Sequence, residues 1–554
     1  MIVMKTKKLL CVLIAAMTAV LMMTGSVSAV DPYTTYNYDA WWNAVPSQSG
    51  YEVIDTIDSR RINLGQLADP TSEFFISEDE PVTMGDMKDF YLSPNLNFYI
   101  ADTSHNRIIK TDINFNLLAC YKYFVGSTTK KVLVDEMGNE YEVDSDELKS
   151  PYGVFVDEND VIYIADRDNQ RIVKCVEETK TSAKILNEYF RPDTALYDSV
   201  SFYCTKVCVD AAKNVYVICP AVNKGAIMFS DSGSFIGYYG ANRVEVTAEV
   251  IRNRLWRKIA SEEQAASLIK ATPVEYANFD IDKEGFIYTV TEVANASTDA
   301  VKKLNPAGYN ILERTADNNK FGDQVSITYN GQTYATRLTD ICVSEDGFIN
   351  ILDYTSGRIF QYDERCNQLL IFGFDQEEQR GGFNNPNAIE CYGENIYVLD
   401  GRNNDITVFG LTEFGRYVHQ AIALHNQGLY EEAYEIWQEV LKRDGSFYMA
   451  LVGTAKALYN QDDYKGAMKY SKLAFEAGEY DRAFEANRQE GLRDNFTLYV
   501  IVILILIVIW IVIKQLKKRG KIPQKLIATG VGKLVDIGKN AAVNVIEKAK
   551  GGKK

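Results

Sequence analysis

Carboxylates recur along this chain at positions where a short apolar run ends. The four residues of this kind are Asp102, Asp166, Asp353 and Asp400. Three of them are followed five residues later by an arginine, namely Arg107, Arg171 and Arg358. Such a carboxylate can ligate a cation or accept hydrogen bonds from the backbone N–H groups of its own turn. Because the residue recurs unit after unit, whereas a ligand site needs one constellation, the pattern favours the structural role, with the arginine bracing neighbouring units.

Other signatures of catalysis are absent from the sequence. It contains no Gly-rich phosphate loop, no G-x-S-x-G elbow and no paired-cysteine motif. Of three histidines, only His105 lies before residue 412. A zinc site built from histidines needs several of them, so the sequence argues strongly against one in this part of the chain. A calcium-type site made of carboxylates and amides remains compatible with the composition.

The recurring carboxylates belong to a repeated pattern of short strands. One unit reads "GVFVDEN", then "VIYIAD", the turn "RDNQ" and "RIVKC", and a further apolar strand such as "KILNEYF" often follows. Short apolar runs separated by polar turns indicate antiparallel strands. Four such strands per unit, repeated along the chain, predict the blades of a β-propeller.

Aligning the second strands gives six units. The aligned positions are Asp102, Asp166, Cys219, Thr291, Asp353 and Asp400. Their uneven spacing fits blades with insertions in surface loops, the largest of which, roughly residues 242–275, has helical periodicity. The sixth unit has three strands before helical sequence begins. We therefore predict that "GYEVIDTID" near residue 50 supplies its outer strand and closes the ring.

The units resemble NHL repeats. Both "YIADTSHNRIIKTD" and "YIADRDNQRIVKCV" show the usual form, an apolar strand, Asp, a polar turn with Asn, then Arg-Ile and another strand. The match is weaker in the sixth unit, where Asp405 replaces the arginine, and poor in the third and fourth units. The resemblance covers roughly residues 50–411 and implies the mainly-β, six-bladed propeller that the strand pattern predicts.

The resemblance also implies where a ligand would bind. Propellers of similar build include gluconolactonase-like and strictosidine-synthase-like enzymes, which hold a divalent cation in the central pocket. In such folds the residues leading into the inner strands point at the channel. The resulting candidates for a ligand or calcium site are Asn278, Asp280, Asp340 and Asn387. The alternative for these polar side chains is that they only solvate the channel.

Residues 412–490 change to a helical period. Two segments superpose at a shift of 34 residues, which places Ala421 on Ala455 and Tyr430 on Tyr464. This spacing of small and aromatic residues resembles tetratricopeptide repeats. A third helix is expected to begin near Tyr480 and to run toward the apolar segment that follows.

Two apolar segments predict export and membrane anchoring. Residues 1–29 have the lysines, apolar run and small-residue end of a secretory signal, with a retained anchor as the alternative. Residues 496–513 carry no charge and, as a helix, would cover about 27 Å, enough to span a bilayer. The lysine-rich segment that follows marks the cytoplasmic side, so we expect the bulk of the protein to be extracellular and residues 514–554 to form a basic cytoplasmic tail.

The charge is divided in the same way. The formal net charge of −16 comprises +10 in residues 514–554 and +3 in the first eight residues, which leaves −29 for residues 9–513. So acidic an exterior argues against nucleic acid, whose phosphates require a basic surface. Of nine cysteines, Cys11 lies in the signal and eight remain. We expect buried thiols, with disulfides as the alternative in an exported protein.

These features predict a membrane-anchored binding or scaffold protein. Its propeller and helical repeats would recruit a ligand, such as a carbohydrate, or a membrane complex, such as the subunits of a sugar-uptake transporter. The alternative is a metal-dependent lactonase or related hydrolase of gluconolactonase type with calcium in the channel. We expect no other cofactor and, on balance, no enzyme activity.

Overall fold

The protein is described here from a computed structural model. The structure describes residues 35–519 with gaps at 40, 42, 126–130, 135–139, 144–145, 198–199, 243–273, 292–299, 313–320, 324–326, 330–331, 335 and 376–378. The predicted signal, the predicted helical insertion and most of the predicted basic tail lie outside the described residues.

Six antiparallel sheets form the blades of a β-propeller, so the predicted fold class and the count of six units are confirmed. In each blade the strands are called inner, second, third and outer in the order in which they pair. Blade 1 contains Asp89–Leu92, Asn97–Asp102, Arg107–Asp112 and Leu117–Tyr121. Blade 2 contains Pro151–Val156, Ile162–Asp166, Arg171–Glu177 and Ser182–Phe190. Blade 3 contains Lys206–Val209, Val215–Ile218, Ala226–Phe229 and Phe235–Tyr239.

The remaining blades follow the same order. The described strands of blade 4 are Asn278–Ile281, Ile287–Val290 and Val301–Leu304. Blade 5 contains Leu338–Val343, Ile349–Asp353, Arg358–Tyr362 and Gln368–Asp375. Blade 6 contains Pro386–Tyr392, Asn395–Asp400 and Asp405–Leu411, and its outer strand is Tyr51–Ile57.

The ring closes through blade 6. Tyr51–Ile57 pairs antiparallel with Asp405–Leu411, with Tyr51 opposite Leu411 and Ile57 opposite Ile406. The prediction that the segment near residue 50 supplies the outer strand is therefore confirmed. The inner strands of successive blades also pack side by side, including that of blade 6 against that of blade 1. Closure removes the open inter-blade edge that an incomplete ring would expose.

The second strands are buried on both faces, because a neighbouring blade packs on each side of the sheet. Every residue of Ile162–Asp166 and of Ile349–Asp353 is buried. This explains why these strands read as unbroken apolar runs and not as alternating ones. Aromatic contacts fill the space between blades; for example, Phe98 of blade 1 meets Tyr397 of blade 6 with ring centroids 4.9 Å apart.

Several short strands were not predicted from the sequence. They are the hairpin Tyr36–Tyr38 with Ala44–Pro46, the strands Tyr123–Val125 and Gly382–Phe383 that pair parallel with the outer strands of blades 2 and 5, and the hairpins Lys131–Val134 with Glu140–Val143 and Ile327–Tyr329 with Gln332–Tyr334. Each has two to four residues, too few for a hydrophobic period to be recognised.

The aspartate that ends a second strand joins two parts of its blade. We call the loop before each inner strand the leading loop. Asp102 Oδ1 accepts a hydrogen bond from Gly85 N of the leading loop at 2.8 Å, and Asp166 Oδ1 accepts one from Lys149 N at 2.7 Å. In blade 6, Asp400 accepts from Asn384 N at 2.6 Å and also from its own turn. These side chains are fully buried, so their hydrogen bonds are not exchanged for water.

The recurring arginine binds within this arrangement and does not brace the neighbouring blade as the sequence suggested. Arg107 donates to Asp102 Oδ2 at 2.8 Å and to Glu80 and two carbonyl oxygens of the leading loop. Arg171 donates to Asp166 Oδ2 at 2.7 Å. The reason is register, because the strand pairing places each arginine directly opposite the aspartate of its own blade. Arg358 differs, since it bonds Asp323 at 2.6 Å.

Helices follow the propeller. They are α2 Glu413–Asn426, α3 Tyr430–Arg443, α4 Tyr448–Asn460, α5 Tyr464–Leu473, α6 Ala477–Asp494 and α7 Phe496–Lys518. The short helix α1, Ser59–Ile62, lies earlier in the chain, directly after the strand Tyr51–Ile57. Chain contacts divide the protein into two compact units, up to Ala457 and from Leu458 onward. In the first unit, α2 packs against α3, and Phe414 and Trp437 share one hydrophobic cluster with Phe409 of blade 6. In the second unit, α5 packs against α6.

The final helix is apolar. Phe496–Leu516 has a mean hydropathy of 3.3 and is long enough to cross a membrane. Its large side chains are exposed, from Phe496 at 65% to Ile513 at 41%. A helix that is apolar on all sides and not covered by protein is typical of a membrane span. The structure is therefore consistent with single-pass anchoring.

We expect Arg107→Ala to lower the free energy of unfolding by about 3–5 kcal/mol, because it removes the guanidinium that pairs with the buried carboxylate of Asp102 and one of the two cations that pair with Glu80. Urea denaturation of the full-length protein in detergent measures the change. The matched control is Arg60→Ala, whose side chain is 94% exposed and whose loss should change stability by less than about 0.5 kcal/mol. Equal effects of the two substitutions would contradict the buried-pair role.

Candidate functional site

Two rings of inner-strand residues line the central channel. Five residues of the upper ring lie opposite the residue that directly precedes Asp102, Cys219, Thr291, Asp353 or Asp400, and they are Asp89, Lys206, Asn278, Asp340 and Ala388. In blade 2 the pairing is irregular between Pro151 and Val154, and Gly153 takes the corresponding place. Side chains on one strand face alternate, so the lower ring lies two residues further on. Its members are Tyr91, Phe155, Cys208, Asp280, Cys342 and Glu390. Residues of both rings enclose a narrow cavity of about 30 Å³, roughly the volume of one water molecule.

Lys206 is the cation of these two rings. Its ammonium group binds Asp89 Oδ1 across the channel wall. Blade 2 lies between the two residues in the ring and contributes Gly153, which has no side chain to obstruct the contact. A Cβ atom at Gly153 would also lie 2.6 Å from Thr205 O, so the close approach of blades 2 and 3 requires glycine.

The channel carboxylates bond to the neighbouring blade. Asp89 Oδ2 accepts from Val154 N of blade 2 at 3.0 Å, and Asp280 Oδ2 accepts from Val343 N of blade 5 at 3.0 Å. Asp340 Oδ2 accepts from Ile389 N of blade 6 at 2.7 Å. Each carboxylate therefore satisfies a backbone donor at the seam between two blades.

The four residues predicted as channel candidates are distributed over three places. Asn278 and Asp340 share the upper ring, and the Asn278 amide donates to Asp340 Oδ1. Asp280 lies one ring lower. Asn387 lies beside the seam of blades 6 and 1, where its amide donates to Met87 O at 2.6 Å.

Burial shifts the titration of the channel acids. It raises the pKa of Asp340 to about 7 and that of Asp280 to about 6, and it raises the pKa of Asp89 and Glu390 as well. Burial alone would lower the pKa of Lys206, but the carboxylates of Asp89 and Asp340 outweigh it and raise that pKa. The ammonium group of Lys206 therefore stays charged, and some of the channel carboxyl groups are protonated near neutral pH.

These residues do not fit a calcium site as they are arranged. Both oxygens of Asp280 and of Asp340 accept hydrogen bonds from N–H groups. Within the described part of the chain, no group of three His, Cys, Asp or Glu side chains could hold a metal ion. Calcium prefers six to eight oxygen ligands, whereas the oxygens of Asp280 and Asp340 already accept hydrogen bonds from the protein. Calcium binding at these residues stays a prediction.

A larger cavity of about 770 Å³ opens above the upper ring, and we call it the mouth. It is lined by tyrosines, amides and cations that come from the leading loops and the ends of second strands. The residues that matter below are Lys88, Tyr152, Arg337, Tyr354, Asn385 and Asn387. Asn278 and Asn387 are thus the predicted candidates that reach the mouth, whereas Asp280 and Asp340 line the narrow cavity below it.

The aspartates at the ends of the second strands position the mouth. Arg337 N donates to Asp353 Oδ1 at 2.7 Å, and Asn385 N donates to Asp400 at 3.2 Å. The guanidinium of Arg337 lies over the ring of Tyr354, 4.7 Å from its centroid, which orients both side chains toward one another. Arg337 and Tyr354 were not predicted from the sequence. Tyr354 directly follows the recurrent Asp353, and Arg337 lies in the leading loop that Asp353 holds.

The mouth contains an unsatisfied acceptor. Asn385 Oδ1 is buried and has no hydrogen-bond partner among the residues that the structure describes. A buried carbonyl oxygen without a donor costs about 1–3 kcal/mol. A ligand hydroxyl or amine placed here would recover this free energy.

Comparison with known proteins assigns no function to this chain. No known protein family matches this chain, and no curated protein does. Similar solved structures include virginiamycin B lyase from Staphylococcus aureus, at 12% identity and TM-score 0.34 over 59% of this chain and 96% of that one. The allergen Mala s 1 of Malassezia sympodialis has 11% identity and TM-score 0.35 over 65% and 97%. A protein of unknown function from Bacteroides thetaiotaomicron has 10% identity and TM-score 0.35 over 68% and 75%.

We expect the melting temperature to fall as the pH is raised from about 4.5 to 8. The folded-state pKa of Asp340, about 7, lies above the ordinary value of about 3.9, so its contribution to stability is present at low pH and lost as the pH rises through 7. Asp280, with a pKa of about 6, acts in the same direction.

Asp340→Asn should make the melting temperature depend less on pH, because asparagine keeps the shape of the side chain but has no carboxyl proton to lose. Differential scanning calorimetry across the pH range measures the slope. The control is Asp346→Asn on an exposed loop, which should leave the slope unchanged. Parallel profiles for the wild type and Asp340→Asn would show that Asp340 does not titrate in this range.

Proposed function

We propose that the protein is a membrane-anchored extracellular binding protein. Its propeller binds a carbohydrate with an acidic group in the mouth, and its C-terminal helices recruit a protein partner at the membrane. The observation that carries the proposal is the mouth, a cavity of about 770 Å³ lined by cations, amides and tyrosines, together with the carboxylate of Glu275.

The lining matches the chemistry of a hydroxyl-rich acid. Tyr152 and Tyr354 offer aromatic faces on which a sugar ring can stack, and the amides of Asn385 and Asn387 can exchange hydrogen bonds with hydroxyl groups. Arg337 supplies positive charge for a carboxylate, and so does Lys88, which also pairs with Asp86 at 2.6 Å. Asn385 Oδ1 adds a buried acceptor that a sugar hydroxyl would satisfy.

Binding is favoured over hydrolysis because the channel acids are already engaged. Asp280 and Asp340 hold backbone N–H groups at the blade seams, so each of their carboxylate oxygens already accepts at least one hydrogen bond. A lactonase of gluconolactonase type would need metal-ligating side chains in this place. Nothing in the described channel favours that alternative.

The proposed location follows from the last helix and its flank. Phe496–Leu516 would span the membrane, and the lysines and arginine at residues 514–519 would lie on the cytoplasmic side. The propeller would then lie outside the cell. The export signal proposed for residues 1–29 agrees with this orientation.

The helical region is proposed to act as a tetratricopeptide-like docking module. Helices α3 and α5 begin 34 residues apart, at Tyr430 and Tyr464, and the equivalent small residues Ala433 and Ala467 are both buried. Two repeats are fewer than such arrays need to be stable alone, which fits the packing of α2 on blade 6. We propose that the partner is a transporter subunit for the sugar that the mouth binds.

We expect the full-length protein to bind oligosaccharides of uronic acids more tightly than neutral ones of equal length. Arg337→Gln should weaken binding of the acidic sugar about 10-fold or more, because a hydrogen bond to a charged group contributes about 1.5–3 kcal/mol. Isothermal titration calorimetry measures both effects. Arg365→Gln, at an exposed site outside the mouth, is the matched control.

Two results would count against this proposal. Equal affinity for acidic and neutral sugars would show that the cations of the mouth do not select an acidic group. Binding of neither sugar would show that the mouth is not a sugar site.

We expect mild cross-linking in native membranes to recover transporter subunits with the protein. Deleting residues 412–490 would disturb blade 6, because Phe414 and Val418 share its hydrophobic cluster. The better variant is the double substitution Leu473→Ser and Phe475→Ser, two apolar side chains that are 52% and 56% exposed. It should abolish recovery, whereas Leu196→Ser, 70% exposed on the propeller, should not. Recovery of the protein alone from wild-type membranes would contradict the scaffold role.

A further inference from the structure

A second large cavity, which we call the lower cavity, lies at the end of the propeller away from the mouth. It has a volume of about 630 Å³ and is lined by turns of blades 5 and 6 and by one face of α2. These turns join inner to second strands and third to outer strands, whereas the mouth is lined from the leading loops and the ends of second strands. No residue lines both cavities, so the lower cavity is separate from the proposed sugar site.

Blade 5 departs from the other blades behind this cavity. In blades 1, 2 and 4 a tyrosine of the second strand lies opposite a lysine of the third strand, and the ammonium group lies over the tyrosine ring. These pairs are Tyr99 with Lys110, Tyr163 with Lys174 and Tyr288 with Lys303. Blade 5 instead places Asn350 opposite Gln361, and both amides are only 1% exposed. The blade itself does not require two buried amides here, since three other blades are built without them.

The two amides fix the orientation and the tautomer of His419 on α2. Asn350 Nδ2 donates to Phe348 O at 3.4 Å, which leaves Asn350 Oδ1 to accept from Gln361 Nε2 at 2.9 Å. Gln361 Nε2 also donates to Tyr51 Oη at 3.0 Å. Gln361 Oε1 is therefore the acceptor for His419 Nε2, which lies 2.8 Å away. It follows that the imidazole hydrogen of His419 is on Nε2.

His419 thus offers a lone pair on Nδ1. Burial lowers the pKa of His419 to about 3, so the imidazole is neutral at physiological pH. Its ring stacks on Phe348 with centroids 3.9 Å apart, which holds it in place. Nδ1 has no hydrogen-bond partner among the residues that the structure describes. Since His419 lines the lower cavity and its Nε2 is directed at Gln361 within blade 5, Nδ1 is the nitrogen available to a ligand.

The charged groups around His419 are mainly acidic. Asp346 and Glu364 line the lower cavity, and neither forms an ion pair with any residue that the structure describes. Glu394 pairs with Arg416 at 2.9 Å, and the oxygens of Asp363 accept hydrogen bonds from their own turn. The groups that remain for a ligand are therefore two carboxylates and one neutral nitrogen acceptor.

We propose that the lower cavity binds an aliphatic polyamine, whose protonated nitrogens pair with Asp346 and Glu364 and donate a hydrogen bond to His419 Nδ1. An ammonium group has N–H donors and no acceptor, which matches this set of acceptors. A metal ion fits less well, because no group of three His, Cys, Asp or Glu side chains in the described part of the chain could hold one. This binding is additional to sugar binding at the mouth and does not depend on it.

The first test is isothermal titration calorimetry of spermidine into the full-length protein in non-ionic detergent. We expect Glu364→Gln to weaken binding about 5-fold, as one exposed ion pair would. The matched control is Glu345→Gln, an exposed acid nearby that does not line the lower cavity, and it should leave the affinity unchanged. Equal affinities for both variants would show that spermidine is attracted only by the acidic surface in general and would overturn the inference, as would the absence of binding.

The second test concerns His419. Glutamine can place an N–H donor near the position of Nε2 but has no acceptor at that of Nδ1. We therefore expect His419→Gln to keep the melting temperature within about 2 °C of the wild type and to weaken spermidine binding about 10-fold. Unchanged affinity in this variant would contradict the assigned role of Nδ1.

A third measurement needs no variant, and a merely structural histidine would not give its expected result. The chain has three histidines, so ¹⁵N NMR of the histidine-labelled full-length protein has few imidazole signals to separate. We expect His419 to show hydrogen on Nε2 and none on Nδ1, and we expect saturating spermidine to shift the Nδ1 signal. The opposite tautomer, or an Nδ1 signal that moves with Zn²⁺ but not with spermidine, would overturn the inference.

Discussion

The structure depends on buried carboxylates that satisfy backbone N–H groups where strands meet. A propeller blade turns sharply between its leading loop and its inner strand, and the N–H groups there have no strand partner. Asp102, Asp166, Asp353 and Asp400 accept from these groups in four blades. Each carboxylate thereby fixes a loop that would otherwise be held only by packing, and several of those loops line the mouth. The lining of the mouth is thus positioned by carboxylates that do not themselves line it.

The same chemistry operates a second time inside the ring. Asp89, Asp280 and Asp340 accept N–H groups from the next inner strand, so the blades are joined in the channel by side chains as well as by packed apolar faces. Lys206 compensates part of this negative charge, and burial leaves other carboxyl groups partly protonated. A channel filled by these side chains joins the blades to one another. Its carboxylates hold backbone N–H groups at the seams between blades.

The sequence was sufficient for the blade count, the closing strand and the apolar helix, because each depends on a local period or on a run of one residue class. Asp400 and Asp405 show where it was insufficient. Asp400 follows the recurrent pattern and Asp405 departs from it by replacing the arginine, but the partner of a buried carboxylate is set by register and by a loop outside the motif, which no local period encodes. The same limit applies to Arg107, whose bonds lie within its own blade, and to Arg337 and Tyr354, which meet only after blade 5 has formed. Asn278 and Asp340, two of the predicted channel candidates, lie together in the structure, where they form a hydrogen bond with each other.

Ring closure also constrains how the protein can fold. Tyr51–Ile57 is synthesised before every other blade strand, yet its partner Asp405–Leu411 is synthesised after all of them. Blade 6 therefore has a contact order close to the length of the whole propeller, and loop-closure entropy makes such pairings slow. If the chain crosses a membrane as it emerges, the first strand must wait unpaired until nearly the entire propeller has followed. Folding of the ring is then a single late event, and helix α2, which packs directly behind the closing strands, is the segment best placed to secure it.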